Sequence, residues 1–531
     1  MIFLLAKHRF LSNIFTFRFT ISFVLCVILF AASTVILVQD YVERLDEYKA
    51  VVQRTEDSLK TDYYVFSGLH VGIARPPSPL SVFCEGADKR LGVGFDVGFD
   101  RAPTIAEETN TRNPLLMVFP SLDVMTIVEV ILSLLVIFLA YNVISGEREQ
   151  GTLKLVLSNT VPRHTVLLGS FIGSMASVIL PLIVGMLISL IIINLNPAIA
   201  LSGDDYIGLI LLCILAVLFL SSFFSLGMLL SSRIRRSSTV LILMLVVWVV
   251  TVVILPNTAV YLAQQVISIP DKATIDRQAE SLRSEWVGDM NRYAEEHPWP
   301  AIELMRTLSR DYSEQELLFL RGVERQREVY TGSWPYAYTY YFGPREMVEW
   351  YLDGSIYGHN LRMDYEDRIW KLYQDYQRGL ERQAGVARAL SLISPSWSFY
   401  HAGTYVAYTG EAEYLRFLES ADRYRSELIT YMKNNGGLDS YLLFTRKPVH
   451  EFPTARELLE IRKTRGEEAV NEIANYKVAP LDLSGMPRFS VPGLNVFRML
   501  SSALPELLIL IFFNMIFFLL AWVTFLRADV R

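Results

Sequence analysis

Six apolar runs set the rhythm of the chain, at about 19–38, 122–145, 165–194, 206–231, 239–256 and 502–526. Each reaches the roughly 17–25 residues with which a helix crosses a bilayer. The pattern predicts an α-helical polytopic membrane protein with six transmembrane helices. The first run could pass for a signal peptide, but it is longer than a typical apolar core of one and reads as an uncleaved span. A polar stretch, 39–120, separates the first two runs, and a larger one, 257–500, separates the last two. Within the larger stretch the charged, Tyr-rich segments 272–293, 301–330, 361–393 and 411–434 carry helical patterns. They predict a mostly helical domain with its own core. Pro480 to Gly493 reads as an extended return to the membrane.

Residues 146–164 are a short charged connector between the second and third runs. Glu147, Arg148 and Glu149 open it. Gly151 can break the incoming helix and Thr152 can cap a new one. Leu153, Val156 and Leu157 then fall at i, i+3, i+4, on one helical face. Pro162 and Arg163 close the segment. Its amphipathic face suits docking onto a soluble partner, and an ordinary polar loop is the plainer alternative.

Basic residues orient the chain. Lys7, Arg9 and Arg18 precede the first run; Arg148, Lys154 and Arg163 follow the second; Arg233, Arg235 and Arg236 follow the fourth; Arg527 and Arg531 end the chain in the tail 527–531. With six spans all four sites share one side, which the positive-inside rule makes cytoplasmic. Both termini are then inside, and 39–120 and 257–500 are outside. Residues 1–18 fit a basic interfacial helix or a plain basic flank. Polar groups within the spans are costly and are candidates for lining or gating a route. They are Asp123, expected at the outer edge in reach of water, Glu129 about 9 Å deeper, Glu506 and Asn514. Gly169 and Gly173 form a Gly-x-x-x-Gly pair in the third run, read as close packing within one subunit.

Composition agrees with this picture. Of 531 residues, 52 % are hydrophobic, and the formal net charge is −6. The mean hydropathy is +0.31 and the pI about 5.8. An acidic chain gives no reason to expect nucleic acid. Three cysteines, two inside apolar runs, make neither a disulfide framework nor a metal set, so no metal site is expected. The chain has no Gly-x-x-x-x-Gly-Lys-Ser/Thr phosphate cradle, no His-Glu-x-x-His and no Gly-x-Ser-x-Gly elbow. It is therefore not expected to be an enzyme, and any ATP would be used by a separate subunit.

The stretch Gly146-Glu-Arg-Glu-Gln-Gly-Thr-Leu-Lys-Leu-Val-Leu-Ser158, followed by Pro162-Arg163 and Gly169, resembles the coupling-helix signature of ABC-2 type transporter permeases. The match is at Glu147, Glu149, Gly151, Thr152 and Leu153, with Ser170 standing where that family often has Lys. Pro79-Leu-Ser81 with Gly86, and the stretch from Leu390 to Arg425, resemble the outer regions of one branch of these permeases. The resemblance implies an ABC-2 (type V exporter-like) permease in a bacterial inner membrane, with a large extracytoplasmic insertion between its fifth and sixth spans. It implies a cytoplasmic ABC ATPase subunit as partner, and a second permease subunit as homodimer or heterodimer. Leu153, Val156 and Leu157 would then be the knob pressed into the ATPase, and Glu147, Glu149 and Arg163 would orient it. An alternative keeps the scaffold but has it transmit force or a signal to an envelope partner without moving a substrate.

Overall fold

The structure, a computed structural model, describes residues 1–61, 63, 66, 69–88, 94–100, 122–153, 162–298, 301–317, 344–435, 449–474, 481–491, 493 and 495–527. In chain order its main helices are α1 (Ile2–Ile14), α2 (Phe17–Leu59), α3 (Val124–Glu149), α4 (Arg163–Asn194), α5 (Gly203–Arg233), α6 (Ser237–Val266), α7 (Lys272–Glu296), α8 (Ala301–Leu308), α9 (Arg345–Ser391), α10 (Pro395–Ala407), α11 (Glu411–Asn434), α12 (Ala455–Arg465), α13 (Glu467–Ala474) and α14 (Val496–Arg527). Strand β1 (Val71–Ala74) pairs antiparallel with β2 (Gly94–Val97), Val71 opposite Val97 and Ala74 opposite Gly94.

Six helices, α2 to α6 and α14, are long and apolar enough to cross a membrane. Their inward residues form one core, with Phe30, Met125, Leu132, Phe219, Phe224, Leu510 and Phe525 among those fully buried. Outward residues such as Ile28, Ile191, Ile242, Leu508 and Phe512 stay exposed. Chains folded in water hide such residues; facing lipid, they cost nothing. α3 and α5 are the most enclosed spans, and α6 and α14 the least.

Small residues set the closest helix approaches. A Cβ on Gly169 would meet Leu5 Cβ at 2.8 Å, and one on Gly173 would strike the Ala6 carbonyl. The Gly-x-x-x-Gly pair therefore seats α1 on α4 within this chain, as its spacing suggested. Gly185 admits Phe30 in the same way, 2.7 Å from a Cβ's place. Buried hydroxyls tie the spans as well: Thr34 donates to Ser189 at 2.7 Å, joining α2 to α4.

Two spans run further than their apolar patterns suggest. The first run ends near Val38, yet α2 continues to Leu59, about 30 Å further at 1.5 Å per residue. Arg44 anchors this extension. It is buried and pairs with Asp40 at 2.9 Å and with Asp88, and it donates to Ser81 at 3.0 Å. The fifth apolar run stops at Pro256, where a helix would be expected to end, because proline removes a helix donor and crowds the preceding turn. Instead Val249–Ile254 adopts a wider π-type turn just before it, and the helix resumes to Val266. The extra residue in that turn absorbs the clash.

The two polar regions fold together. Phe66, Leu69, Val71, Ile73, Val97 and Phe99 share a core with Met363 of α9 and with Ala421, Tyr424, Leu428 and Met432 of α11. Arg425 clamps it, donating to the carbonyls of Gly98 and Phe99 at 3.2 and 3.1 Å and pairing with Asp367 at 2.7 Å. Away from this core, α7 packs along α9 through Ile275, Ala279, Ile369, Trp370 and Tyr373.

One helix of the second polar region departs from the expected layout. α10 does not stay with the polar domain. It lodges among α3, α5, α6 and α14, where Phe399 stacks on Phe219 with ring centroids 4.4 Å apart. Ser394 at its start donates to the Thr251 carbonyl at 2.6 Å. Thr251 lies about 20 Å along α6 from Ser237 at 1.5 Å per residue, within the length that a hydrocarbon core of about 30 Å would cover. The composition explains the placement. Pro395 starts the helix, and Phe399, Ala402, Gly403, Val406 and Ala407 are small or apolar and buried. Gly403 leaves room for Met125, whose methyl lies 2.5 Å from where a Cβ would stand.

Replacing Gly173 with leucine should force α1 off α4. We expect a loss of about 1–3 kcal/mol from overpacking, read as a lower midpoint of thermal unfolding in detergent. Gly288→Ala, on an open face of α7 with nothing within 4 Å of the new Cβ, should raise the midpoint, by about 0.5–1 kcal/mol in stability.

Candidate functional site

The connector 146–164 gathers the helix ends at the face that carries both termini. Ser145–Glu149 form the last turn of α3, and Gly151 follows at φ +71, a left-handed conformation that suits glycine. Thr152 begins a new helical turn, and the residues it was expected to cap, 154 onward, lie outside the described residues. Its hydroxyl donates back to the Glu147 carbonyl at 3.1 Å and closes the turn it follows. The reversal at Gly151 brings that carbonyl within reach.

The connector's described charges are engaged within the chain. Glu149 accepts from the Ser237 N–H at 2.9 Å and the Ser237 hydroxyl at 2.8 Å. The N-cap position of α6, Arg236, makes no side-chain cap bond of its own, so a carboxylate from α3 does that work. Glu147 pairs with Arg9 at 3.2 Å, and Arg9 also donates to the Val143 carbonyl at 2.7 Å. Arg148 donates to the Ser232 carbonyl at 3.2 Å at the end of α5. Arg163 donates to the carbonyls of Phe525 and Leu526 at 3.2 and 2.9 Å, at the end of α14. A cation there complements the helix dipole. One short segment thus holds the middle of α1 and the ends of α3, α5, α6 and α14, and a push on it reaches all of them.

Leu153 differs from its expected role as part of an exposed knob. It is 1 % exposed and belongs to the main core. The turn at Gly151 folds its side chain onto the bundle, where burying a leucine gains about 1.5–3 kcal/mol. Val156 and Leu157 lie outside the described residues.

Two serines complete the junction and were missed in the sequence. The Ser231 hydroxyl accepts from the N–H groups of Ile144 and Ser145 at 3.0 and 2.9 Å, and Ser237 meets Ser145 hydroxyl to hydroxyl at 3.0 Å. The two stand either side of Arg233, Arg235 and Arg236, which drew notice only for their charge. Serines at two helix ends either side of such a cluster are the usable signal.

At the opposite end the intramembrane carboxylates surround α10. Asp123 was expected to reach water, yet it is fully buried. One of its oxygens caps α3 by accepting from Thr126 N–H at 2.7 Å, and the other accepts from Glu85 N–H at 3.0 Å. The stretch 79–88 folds over the end of α3 and supplies that second donor. Glu129 lies in the π-type turn Val128–Leu132 and accepts from the Ser396 hydroxyl of α10. Glu506 is buried in α14 beside the same helix, one of its carboxylate oxygens lacking a hydrogen-bond partner among the described residues. Asn514 is not grouped with them. It accepts from Ser221 at 2.6 Å and donates to the carbonyls of Leu218 and Leu510 at 2.8 Å each. That makes Asn514 a tie between α5 and α14.

Two sequence stretches with no assigned chemistry meet here. The Thr409 carbonyl accepts from the Ala87 N–H at 2.8 Å, beside Gly86 at φ +55. A Cβ at Gly86 would meet that carbonyl at 2.6 Å. Cys84 is buried beneath, with Gly403 as a neighbour. Among the described residues no group of three or more His, Cys, Asp or Glu could hold a metal.

Asn514→Ala should cost about 1–3 kcal/mol by leaving buried groups unpaired. The expected readout is a lower unfolding midpoint in detergent. An unchanged midpoint would count against the tie.

Residues 11–271 match the family described as ABC-2 family transporter protein. Residues 357–491 match a domain of unknown function, DUF3526. No curated protein matches the chain. The first match takes in α2 to α6 and the connector, and the second runs from α9 through α10 and α11 to the return segment. Through residues 11–271 the chain belongs to the ABC-2 transporter family, as a multi-pass membrane permease with a large helical region placed before its last span.

Proposed function

We propose that this permease is the membrane-spanning half of an ABC exporter, driven by a separate ATP-binding subunit that docks on residues 146–164. The observation that carries the reading is the junction itself. Glu147, Glu149 and Arg163 tie α1, the start of α6 and the end of α14 to one segment. A docked subunit that changes shape with ATP biases the helices by the difference in its affinity for their two arrangements. In this reading Leu153 holds the segment to the bundle, and Val156 and Leu157 meet the partner. A second permease subunit, identical or related, completes the assembly in a bacterial inner membrane. The basic residues on the connector's side support cytoplasmic termini.

The lodged helix α10 favours a second reading, in which the motion is delivered to an envelope partner. α10 belongs to the polar domain by sequence and to the span bundle by packing, through Phe399 on Phe219 and Ser396 on Glu129. Motion of α3 or α5 therefore reaches the domain directly. ATPase activity raised by a small molecule favours export, and activity raised by an envelope protein favours transmission.

The docking reading is tested by pull-down of the tagged chain from native membranes, wild type against Val156→Glu with Leu157→Glu. We expect a subunit with a phosphate-binding Gly-x-x-x-x-Gly-Lys-Ser/Thr loop to accompany wild type and to be lost from the variant. Its absence from both would sink the ATPase reading.

A further inference from the structure

A second feature of α10 points outward. Trp397, His401 and Tyr405 follow one another at four-residue spacing, so their rings share one helix face. Trp397 and His401 have ring centroids 4.4 Å apart, and His401 and Tyr405 6.2 Å. This aromatic face lines a cavity of about 470 Å³ between α10, α9, the start of α11 and the far end of α6. The volume is within the range of small-molecule sites, roughly 300–1,000 Å³.

The charges at this cavity do not balance. Glu381 of α9 and Glu411 of α11 stand exposed on its lining, and neither side chain makes an ion pair or a hydrogen bond among the described residues. Arg388 is the cation on the lining. It is already bound to the Tyr405 hydroxyl and lies over the Tyr405 ring, 5.6 Å from its centroid. The Glu411 carboxyl is raised above its ordinary range, by desolvation first and then by repulsion from Glu381, against a smaller opposing pull from Arg388. A positive charge placed between the two carboxylates relieves that repulsion. Aromatic faces nearby attract the same charge through their quadrupoles.

The cavity also reaches the far end of α6. Val260 and Ala263 of α6 form part of its wall, and further round the same stretch of helix Tyr261, Leu262 and Val266 are exposed. Leu392 and Ile393, at the turn into α10, are exposed as well. A guest with an apolar body can approach across this surface without leaving apolar contact.

We propose that this cavity binds a hydrophobic organic cation, its body against Trp397, His401 and Tyr405 and its charge between Glu381 and Glu411. Nothing in the inference requires the ATPase reading, because binding is a property of this chain alone.

Tetraphenylphosphonium and tetraphenylborate test it, being alike in size and shape and opposite in charge. Equilibrium dialysis with the purified full chain in detergent should show saturable binding of tetraphenylphosphonium, with tetraphenylborate showing only partition into the micelle. Glu381→Gln and Glu411→Gln should each weaken the cation's affinity by about two- to fivefold, the scale of one exposed ion pair. Trp397→Ala should weaken it similarly. Neither glutamate side chain has a hydrogen bond or ion pair among the described residues to lose, so both glutamine variants keep an unfolding midpoint at least as high as wild type and carry the test even where Trp397→Ala fails to fold. Equal saturable binding of both ions, mere partition of both, or wild-type affinity in the two glutamine variants would each overturn the proposal.

Discussion

Burying α10 among the spans is the contact on which the outer half of the molecule depends. Most of a polar domain can float on a membrane protein with little consequence. This domain sends a helix inward, and the helix is kept there by contacts of different kinds. Phe399 and Phe219 supply apolar area and ring stacking. Ser394 and Ser396 supply hydroxyls to a backbone carbonyl and to a carboxylate that lipid would leave unsatisfied. The spans accommodate it with two π-type turns, Val128–Leu132 and Val249–Ile254, whose residues meet those two hydroxyls. Wide turns of this kind often sit where a helix must bend its hydrogen bonding toward something else.

The terminal face follows the same physics with different groups. Helix ends carry unpaired N–H and carbonyl groups. Here they are served across helices: Glu149 serves the start of α6, Ser231 the turn at Ile144 and Ser145, and Arg163 the end of α14. Capping from another helix makes each end part of a shared mechanical unit. The two ends of the bundle are then joined by the enclosed spans α3 and α5, which touch the connector at one end and α10 at the other. A displacement at the connector thus has a continuous route of packed side chains to the polar domain.

Much of this was legible in the residues. Length and apolarity marked six spans, because lipid demands about 20 apolar residues and a helix whatever the neighbours are. Gly169 and Gly173 announced a close approach, and α1 fills it. Gly151 announced a break, and its positive φ makes one. Other signals were read correctly in kind and wrongly in setting. Asp123 looks like an edge residue in contact with water, and its sequence neighbours cannot reveal that 79–88 folds over it. Asn514 looks like a pathway residue until Ser221 and Leu218 are seen to occupy it. Pro256 looks like a helix end, and the turn before it absorbs the strain.

The sequence by itself determined the membrane class, the number of spans, the family and the position of the connector, since these rest on local composition and short motifs. Only the tertiary structure decided which polar groups are spent inside the chain and which face outward. Leu153 is apolar on an amphipathic face in either case, and the turn at Gly151 sends it into the core. Glu129 and Glu149 are bound by serines hundreds or scores of positions away. Glu381 and Glu411 are left beside an aromatic face with no side-chain hydrogen bond or ion pair among the described residues. Burial and pairing are properties of neighbours in space, and a serine 267 residues downstream can settle them only once the chain has folded.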